Sequence, residues 1–401
     1  MTNKKLMKKL LATASTVAVL ASGSNAFAAE RETAGNVALN AGVDCVAATA
    51  QVNGDSIKIA GAHNIDFNAA GRVIASIDAN GQNSTWTITQ AATVGDVTNI
   101  TGNIVVNFAA AETLTLNGTA YQGAAAANLV VDFKNQDGTV VFSEDGAVFT
   151  GTLKSTGGVN GTVKISGNTT FTGVVANANH IKLITVDTAK GLTVNGISNL
   201  SGGNPIELEG TGSLSVAATA KVGNVTVKAG GKVTLADTAE AGDITLSDAG
   251  TLSSEGTAGG NRATINKIVI SKAGTATLKN TTVADVVNVA EAGTVNLLDS
   301  TTVTGKTTLT TTGTLNLTGA AGAIAKVAAV DVVAGGTVNF NDYSEASGIV
   351  DIQNSAAKVT LNGANSTLAE VKLGANTEIT VKAGTITKFN NGAAQGSVHI
   401  S

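Results

Sequence analysis

The sequence predicts an all-β fold, a right-handed parallel β-solenoid (β-helix) with about 20 residues in each coil and a short third side. Short triplets of the form apolar–x–apolar come in pairs about eight residues apart, and the pairs recur at a near-constant interval over residues 201–390. The chain is also rich in Thr, Asn and Val, with 47 Gly, 1 Pro and 3% aromatic residues. Small aliphatic side chains fill little space, so they suit a narrow section that is repeated many times.

The paired triplets are the predicted strands of each coil. In "VNVAEAGTVNL", Val287 and Val289 point to one face of the first strand and Asn288 to the other, because side chains alternate along a strand. One pair of strands cannot bury its apolar face alone, so successive copies must stack on each other. The first triplets start at Ile206, Val225, Ile244, Ile268, Val287, Thr307, Val330, Val350 and Val371, and their partners start at Leu214, Val233, Leu252, Ala276, Val295, Leu315, Val338, Val359 and Ile379.

Each coil needs two further elements to close. The link between the two strands, such as "AEAGT" at 290–294, must turn the chain within a few residues, and its glycine is predicted to supply the positive φ. The polar stretch after the second strand carries one apolar residue, which predicts the short third side. These third-side residues are Val283, Val303, Ile324 and Leu368.

The repeat pattern divides the chain into segments. Residues 201–390 form regular coils, and residues 56–200 form an irregular solenoid in which the eight-residue spacing returns at Ile57 and Ile65 and at Val106 and Leu114. Residues 29–55 lack the pattern and are predicted to be a leader or cap. Residues 391–401 are predicted to be a C-terminal tail.

The first 28 residues are predicted to be a cleaved signal peptide. Four lysines within residues 4–9 precede a short apolar run at 10–20, and Ala26 and Ala28 fit the small–x–small cleavage rule. The alternative is a membrane anchor, but a spanning helix needs about 20 apolar residues. The protein is therefore expected to be exported.

Charge and cysteine content exclude several classes of protein. The formal net charge is −4 and no long basic run follows the leader, which argues against a nucleic-acid partner. Cys45 is the one cysteine, so no internal disulfide can form, and a buried residue without a redox role is the favoured interpretation.

An array of β-sandwich modules is the alternative fold, although such modules repeat near 100 residues.

The coils resemble the passenger segments of bacterial autotransporters. The stretches "TNITGNIVVNFAAAETLTLNG" (98–118), "GTVNL" (293–297), "GTLNLTG" (313–319) and "GGTVNFND" (335–342) are most similar to the rickettsial surface cell antigens, of the outer membrane protein A and B type. The resemblance implies a virulence-associated adhesin or surface antigen on the cell surface, at the outer membrane or outside the cell. It supplies no functional residue.

The resemblance also implies partners, and one part of the family pattern is missing. Expected partners are a host-cell surface receptor and the outer membrane, reached through a missing or separate translocator, and self-association is a further expectation. A translocator barrel needs many strands of about ten residues, and no such pattern follows residue 390. The chain is therefore expected to be a fragment of a longer protein or a product without a barrel. If no translocator is available, it is expected to stay in the periplasm.

No catalytic, cofactor-binding or metal-binding residue is predicted, and the protein is not expected to be an enzyme. His63, His180 and His399 lie in different coils, too far apart for a metal site or a catalytic triad. Asp243, Asp285 and Asp331 each precede a strand and would form a carboxylate ladder if they stacked, as a polysaccharide lyase or hydrolase requires. A solvated edge is the favoured interpretation, and Trp86, Tyr121 and Tyr343 are interpreted as packing residues.

The outward polar residues carry the remaining hypothesis. They are expected to form ladders that stabilise the stack, or a flat adhesive face; the residues are Asn288, Asn296, Thr308, Asn316 and Asn339. The predicted function is a structural or adhesive protein at the surface or secreted. The alternatives are a glycan-degrading β-helix enzyme and a self-assembling surface-layer protein.

Overall fold

Successive coils of the chain stack through parallel strands, and the computed structural model has about 15 turns with about 21 residues in each. It describes residues 56–124, 128–172, 181–195, 205–257, 262–391 and 396–401, except for the side chains of residues 286–288. Five further strands elsewhere in the chain are described by their backbone alone. Within these residues the structure is all-β, and it contains no helix long and apolar enough to cross a membrane. The predicted parallel β-solenoid is confirmed.

The N-terminal strands extend the stack and end in an antiparallel hairpin. Strand β1 pairs in parallel with Ser56–Lys58, and β2 pairs in parallel with Ile65–Phe67. Strands β3 and β4 then pair antiparallel, and β3 lies against β2. The predicted signal peptide, residues 1–28, lies outside the described residues. The four strands are β1 (Glu30–Glu32), β2 (Val37–Leu39), β3 (Asp44–Val46) and β4 (Thr49–Gln51).

The next coils have three separate sides, and the third side forms its own sheet of eight strands in the order β16-β13-β10-β8-β6-β2-β3-β4. The strands are β5 (Ser56–Lys58), β6 (Ile65–Phe67), β7 (Arg72–Asp78), β8 (Ser84–Ile88), β9 (Ala92–Ile100), β10 (Ile104–Phe108), β11 (Thr113–Leu116), β12 (Ala120–Gly123), β13 (Leu129–Asp132), β14 (Thr139–Phe142), β15 (Ala147–Thr150), β16 (Thr152–Lys154), β17 (Asn160–Ile165), β18 (Thr169–Phe171), β19 (Ile181–Val186), β20 (Gly191–Val194) and β21 (Asn199–Leu200).

The regular coils follow, and from β27 onward the third side runs directly into the first side as one bent strand. The strands are β22 (Ile206–Leu208), β23 (Ser213–Val216), β24 (Lys221–Val222), β25 (Val225–Val227), β26 (Lys232–Leu235), β27 (Glu240–Leu246), β28 (Thr251–Glu255), β29 (Ala263–Ile270), β30 (Thr275–Lys279), β31 (Thr281–Val289), β32 (Thr294–Leu298), β33 (Thr302–Leu309), β34 (Thr314–Thr318), β35 (Ala325–Val332), β36 (Thr337–Phe340), β37 (Ser344–Ile352), β38 (Lys358–Leu361), β39 (Thr367–Leu373), β40 (Glu378–Val381), β41 (Thr385–Asn391) and β42 (Ser397–Ile400).

All nine predicted strand pairs occur, and their second strands stack in one register. Val295 lies above Ala276 and below Leu315, and each is fully buried. The predicted tail also joins the stack, because Val398 of β42 pairs with Ile379. In the irregular coils the eight-residue spacing crosses a different corner: Val106 belongs to the third side and Leu114 to the first side of the next coil.

The short third side forms one inward column in the regular coils, with one correction to the prediction. Val283 and Val303 are buried in register as predicted, but Val327 continues the column in place of Ile324, which is only half-buried. A small turn closed by the Ala320–Ala323 bridge lengthens this corner and displaces the register. The residues of the column are Val222, Ala241, Ile265, Val283, Val303, Val327, Ala346 and Leu368.

The glycine directly before the second strand is required for space rather than for its φ, which corrects the prediction for that position, whereas Gly230 in the link at 228–232 has the predicted positive φ, 88°. In the link at 290–294 the positive φ of 48° belongs to Glu291. A Cβ on Gly293 would instead lie 2.6 Å from Ile270 Cγ2 of the preceding coil. The same crowding recurs one residue before the second-side strands β28, β30, β32, β34 and β36, at Gly250, Gly274, Gly293, Gly313 and Gly336.

We predict that Gly336→Ala destabilises the protein by about 1–3 kcal/mol, because overpacking forces neighbouring atoms apart. Its Cβ would lie 2.8 Å from Leu309 Cδ2 and 2.9 Å from Leu309 Cβ. The adjacent Gly335→Ala is the matched control, since its nearest contact is Ala356 Cβ at 3.5 Å. Urea denaturation followed by circular dichroism measures both variants, and equal stabilities would contradict the close-approach argument.

Candidate functional surface

The second side of the regular coils carries a repeated, uncharged polar surface, which we call the Thr/Asn face. Its first column is Thr251, Thr275, Thr294, Thr314 and Thr337, and its second is Ser253, Thr277, Asn296, Asn316 and Asn339. The two columns lie two residues apart on each strand and therefore share the outward side, and the coils repeat about every 4.8 Å. The polar residues thus form a regular two-column array along the solenoid axis.

The asparagines of this face form a hydrogen-bonded ladder. Asn316 Nδ2 donates to Asn296 Oδ1 at 2.9 Å, and Asn339 Nδ2 donates to Asn316 Oδ1 at 2.8 Å. Asn296 Nδ2 donates in turn to Thr277 Oγ1 at 3.3 Å. The predicted structural ladder is confirmed for these residues. Of the other residues predicted to join it, Thr308 lies on the first side, in register with Asp331, and the Asn288 side chain lies outside the described residues.

A second, shorter ladder runs beside the first at the end of the same strands. Asn341 Nδ2 donates to Thr318 Oγ1 at 3.1 Å, and Asn362 Nδ2 donates to Asn341 Oδ1 at 3.1 Å. Each amide in these ladders can accept from one neighbour and donate to the other, because an amide carries both an acceptor and donors. An identical residue stacked in register therefore satisfies its neighbour.

Many charged side chains of the coils, including Lys279 at the end of a second-side strand, pair between coils. Lysine ammonium groups lie 2.7–3.5 Å from a carboxylate one coil away in the pairs Lys154–Asp132, Lys221–Glu240, Lys228–Glu207, Lys267–Asp243, Lys279–Asp299, Lys326–Glu345, Lys372–Asp351 and Lys388–Glu370. Lys306 contacts Asp331 in the same way. These pairs compensate part of the charge on the surface of the described coils.

The three aspartates do not form a carboxylate ladder, which corrects that hypothesis. Asp243 and Asp285 share a column, but Lys267 lies between them in register. Asp331 lies on the first side, in register with Thr308 and Asp351. The charges alternate because like charges on adjacent strands are destabilising.

Asp243 is the best-defined carboxylate of this group. Lys267 Nζ lies 2.9 Å from its Oδ2, and Asn266 Nδ2 donates to its Oδ1 at 2.6 Å. Partial burial raises the pKa of Asp243, but the hydrogen bonds from Lys267 and Asn266 outweigh burial and hold the pKa below its ordinary value. A lowered pKa suits a permanently ionised partner in an ion pair rather than a general acid.

The histidines and aromatic residues do not assemble a site in the described part of the chain. His63 lies in a turn before β6 and His399 in the last strand, while His180 lies outside the described residues. No cluster of metal-ligating side chains occurs among the described residues. Trp86 and Tyr121 are buried in the core, and the ring centroids of Trp86 and Phe67 are 6.4 Å apart. Tyr343 is half-buried at a corner, where its φ is 52°.

One shallow groove opens on the third side between β24, β27 and β29. Val222, Ala241 and Ile265 form its apolar floor, and Glu240 and Asn266 lie on its rim. Glu240 is already paired with Lys221 at 2.7 Å. The groove therefore combines a small apolar floor with polar groups that are engaged elsewhere, and it carries no reactive group.

Comparison with protein-family models, with curated proteins and with solved structures finds no match to this chain.

The first column of the Thr/Asn face was not predicted from the sequence. Thr275, Thr294, Thr314 and Thr337 each precede an inward residue of the second strand, and they fall into one column only when the registers are known. The signal available in the sequence was the repeated "GT" before the second triplet, at 274–275, 293–294, 313–314 and 336–337.

We predict that Asn316→Ala destabilises the protein by about 1–2 kcal/mol, because it removes two hydrogen bonds and leaves Asn296 and Asn339 without their partner. Thr314→Ala, on the same strand and the same face, is the control, with an expected loss within about 0.5 kcal/mol. Chemical denaturation measures both. A loss at Thr314 equal to that at Asn316 would contradict a role for the amide ladder.

We predict that the stabilisation by Asp243 depends on pH. Its folded pKa lies below the unfolded value of about 4, so its contribution is present above that pH and is lost as the pH falls through the folded pKa. Asp243→Asn should therefore lower the free energy of unfolding by about 0.2–1 kcal/mol near neutral pH and by less at about pH 2.5. The exposed turn residue Asp248 supplies the control variant Asp248→Asn, and a pH-independent difference for Asp243→Asn would contradict the assignment.

Proposed function

We propose that this chain is a non-enzymatic structural and adhesive protein, exported to the cell surface or secreted, in which the solenoid presents the Thr/Asn face to a binding partner. The observation that carries the proposal is the two-column array of hydroxyl and amide groups, repeated in register over successive coils. A repeated array offers many weak contacts to an extended partner, and their sum produces avidity without any single deep pocket.

The distribution of charge supports a neutral, polar partner. Lysines and carboxylates elsewhere on the coils pair with each other, as Lys326 does with Glu345 at 3.0 Å and Lys372 with Asp351 at 2.9 Å. Such pairs reduce the attraction of the coils for a polyanion. Many of the described titratable groups hold neighbouring coils together, as Lys326 and Glu345 do, which supports a structural role over acid–base chemistry.

The face can be tested by adding charge to it without disturbing the fold. The Thr column already accepts lysine, since Lys232 is in register with Thr251 and Lys358 with Thr337. We expect the double variant Thr294→Lys, Thr314→Lys to lower binding to host-cell surfaces at least about tenfold, because it disrupts a neutral array. The double variant Thr226→Lys, Thr245→Lys places the same charge on the first side, where both threonines also stack in register.

Binding would be measured with the bacterial cells that express the full chain, after protease treatment of intact cells has located the protein. The proposal expects surface accessibility to protease and a loss of binding in the second-side variant alone. Protection from protease in intact cells would contradict export to the surface. Equal binding by both double variants would contradict the Thr/Asn face, and cleavage of an anionic polysaccharide that is lost in Asp331→Ala would contradict a non-enzymatic role.

A further inference from the structure

The threonine column of the Thr/Asn face carries hydroxyl groups that hold no part of the fold together. Among the described residues none of these hydroxyls takes part in a hydrogen bond, whereas the amides of the neighbouring column bond to each other. A hydroxyl has one donor and two acceptor lone pairs, so the column keeps hydrogen-bonding capacity for water or a ligand. Its members are Thr251, Thr275, Thr294, Thr314 and Thr337.

The column is open to an approaching ligand. Thr251 is exposed and the other four threonines are half-buried on the outward side of their strands. The residue directly before each threonine is glycine, and the residue before that glycine is alanine or glycine in every coil except at Thr312. These two preceding positions therefore contribute no large side chain that could cover the row of hydroxyls.

The spacing of the row decides which linear molecule can follow it. Stacked coils place successive hydroxyls about 4.8 Å apart, so the five threonines span about 19 Å. An extended polypeptide repeats the side chains of one face about every 6.7 Å, and it falls out of step with the row within two coils. In an extended β-1,4-linked glycan each sugar ring advances the chain by nearly the coil repeat and presents hydroxyl groups at its edge. Such a glycan keeps a hydroxyl group near every threonine of the row.

The charge of the two columns also selects the ligand. Both columns are uncharged from Thr251 to Thr337, and lysine appears in the threonine column only beyond these coils, at Lys232 and Lys358. Sulfate, phosphate and carboxylate groups are usually held by arginine or lysine, which the row lacks. The row therefore matches an uncharged glycan better than an anionic one.

We propose that the threonine column binds an uncharged, linear β-1,4-linked glycan that lies along the solenoid axis, with about one sugar ring for each coil. The inference rests on the proposed function, because it names the partner of the same face. Each hydrogen bond is weak, since it replaces one to water, and the row gains affinity by making several at once. The amide ladder from Asn296 to Asn339 holds the coils in register, so the threonines are already aligned before the glycan binds.

The test is binding of the purified full chain to immobilised cellohexaose, measured by surface plasmon resonance. Immobilised maltohexaose is the matched control ligand, because it contains the same number of glucose units but its α-1,4 links curl the chain. We expect an apparent dissociation constant at least about tenfold lower on cellohexaose, since a curled chain loses contact with most of the row. Equal binding to both ligands, or no binding to either, overturns the proposal.

A pair of double variants locates the binding on the row. Thr294→Val, Thr314→Val removes two hydroxyls and keeps the β-branched shape of the side chains. We expect this variant to bind cellohexaose at least about fivefold more weakly than the wild-type chain. Thr226→Val, Thr245→Val is the control on the first side, with unchanged binding expected. Equal binding by the two double variants, both with the β-rich circular dichroism of the wild-type chain, overturns the proposal.

The outcome for the glycan is distinguishable from the outcome for the proposed function, because the purified chain needs neither export nor host cells. Binding to cellohexaose without binding to host cells supports the glycan partner and contradicts the adhesive role. Host-cell binding that is lost in Thr294→Lys, Thr314→Lys, together with no binding to cellohexaose, supports the Thr/Asn face and overturns the glycan partner.

Discussion

Parallel stacking in register is the constraint on which the rest of this structure depends. Most strand residues lie directly above a counterpart in the previous coil, about 4.8 Å away, and directly below a counterpart in the next. Every position must therefore tolerate its own column. Aliphatic side chains meet this condition by packing, as along Ala276, Val295 and Leu315, and amides meet it because one amide both donates to and accepts from another. Glycine meets it where the link approaches the strand of the preceding coil too closely for a Cβ.

Charged residues, in contrast, cannot meet the stacking constraint by repeating the same residue in a column. Identical charges stacked one coil apart repel each other, so the structure alternates lysine with carboxylate, as in the column Asp243, Lys267 and Asp285. Asp331 and Asp351 are an instructive exception, since they stack in register. Lys306 and Lys372 contact these two carboxylates, one each, and compensate the repulsion. Ion pairing between coils therefore permits charged residues in a stack that otherwise favours neutral ones.

The periodicity of the sequence predicted the strands well and the contents of the columns poorly. Apolar triplets recur because every coil must bury two strands, so the positions of Leu214, Val295 and Ile379 were predictable. Column membership depends on register, and a small change in corner length reassigns it. The turn at 319–323 moved Val327 into the third-side column in place of Ile324, and Asp331 stacks on Thr308 rather than on the column of Asp285. The steric role of the link glycines could not be predicted from the sequence either, because the crowding atoms belong to Ile270 or Leu309 in the preceding coil.

The Thr/Asn face contains a column of hydrogen-bonded amides beside a column of stacked threonines. Its amide column is largely occupied by its own hydrogen bonds, and so the asparagines hold the coils together and fix the spacing of their neighbours. The threonine column beside it stacks in the same register, and Lys232 and Lys358 show that this column tolerates different outward side chains. The fold accepts other residues at this position, yet it is threonine in five successive coils from Thr251 to Thr337. This repetition is the reason that the proposed binding surface is placed on the threonine column. In the proposed function, the ladder holds the coils in register and the adjacent threonine column would supply the contact groups, so stability and recognition would be carried by different residues of the same strands.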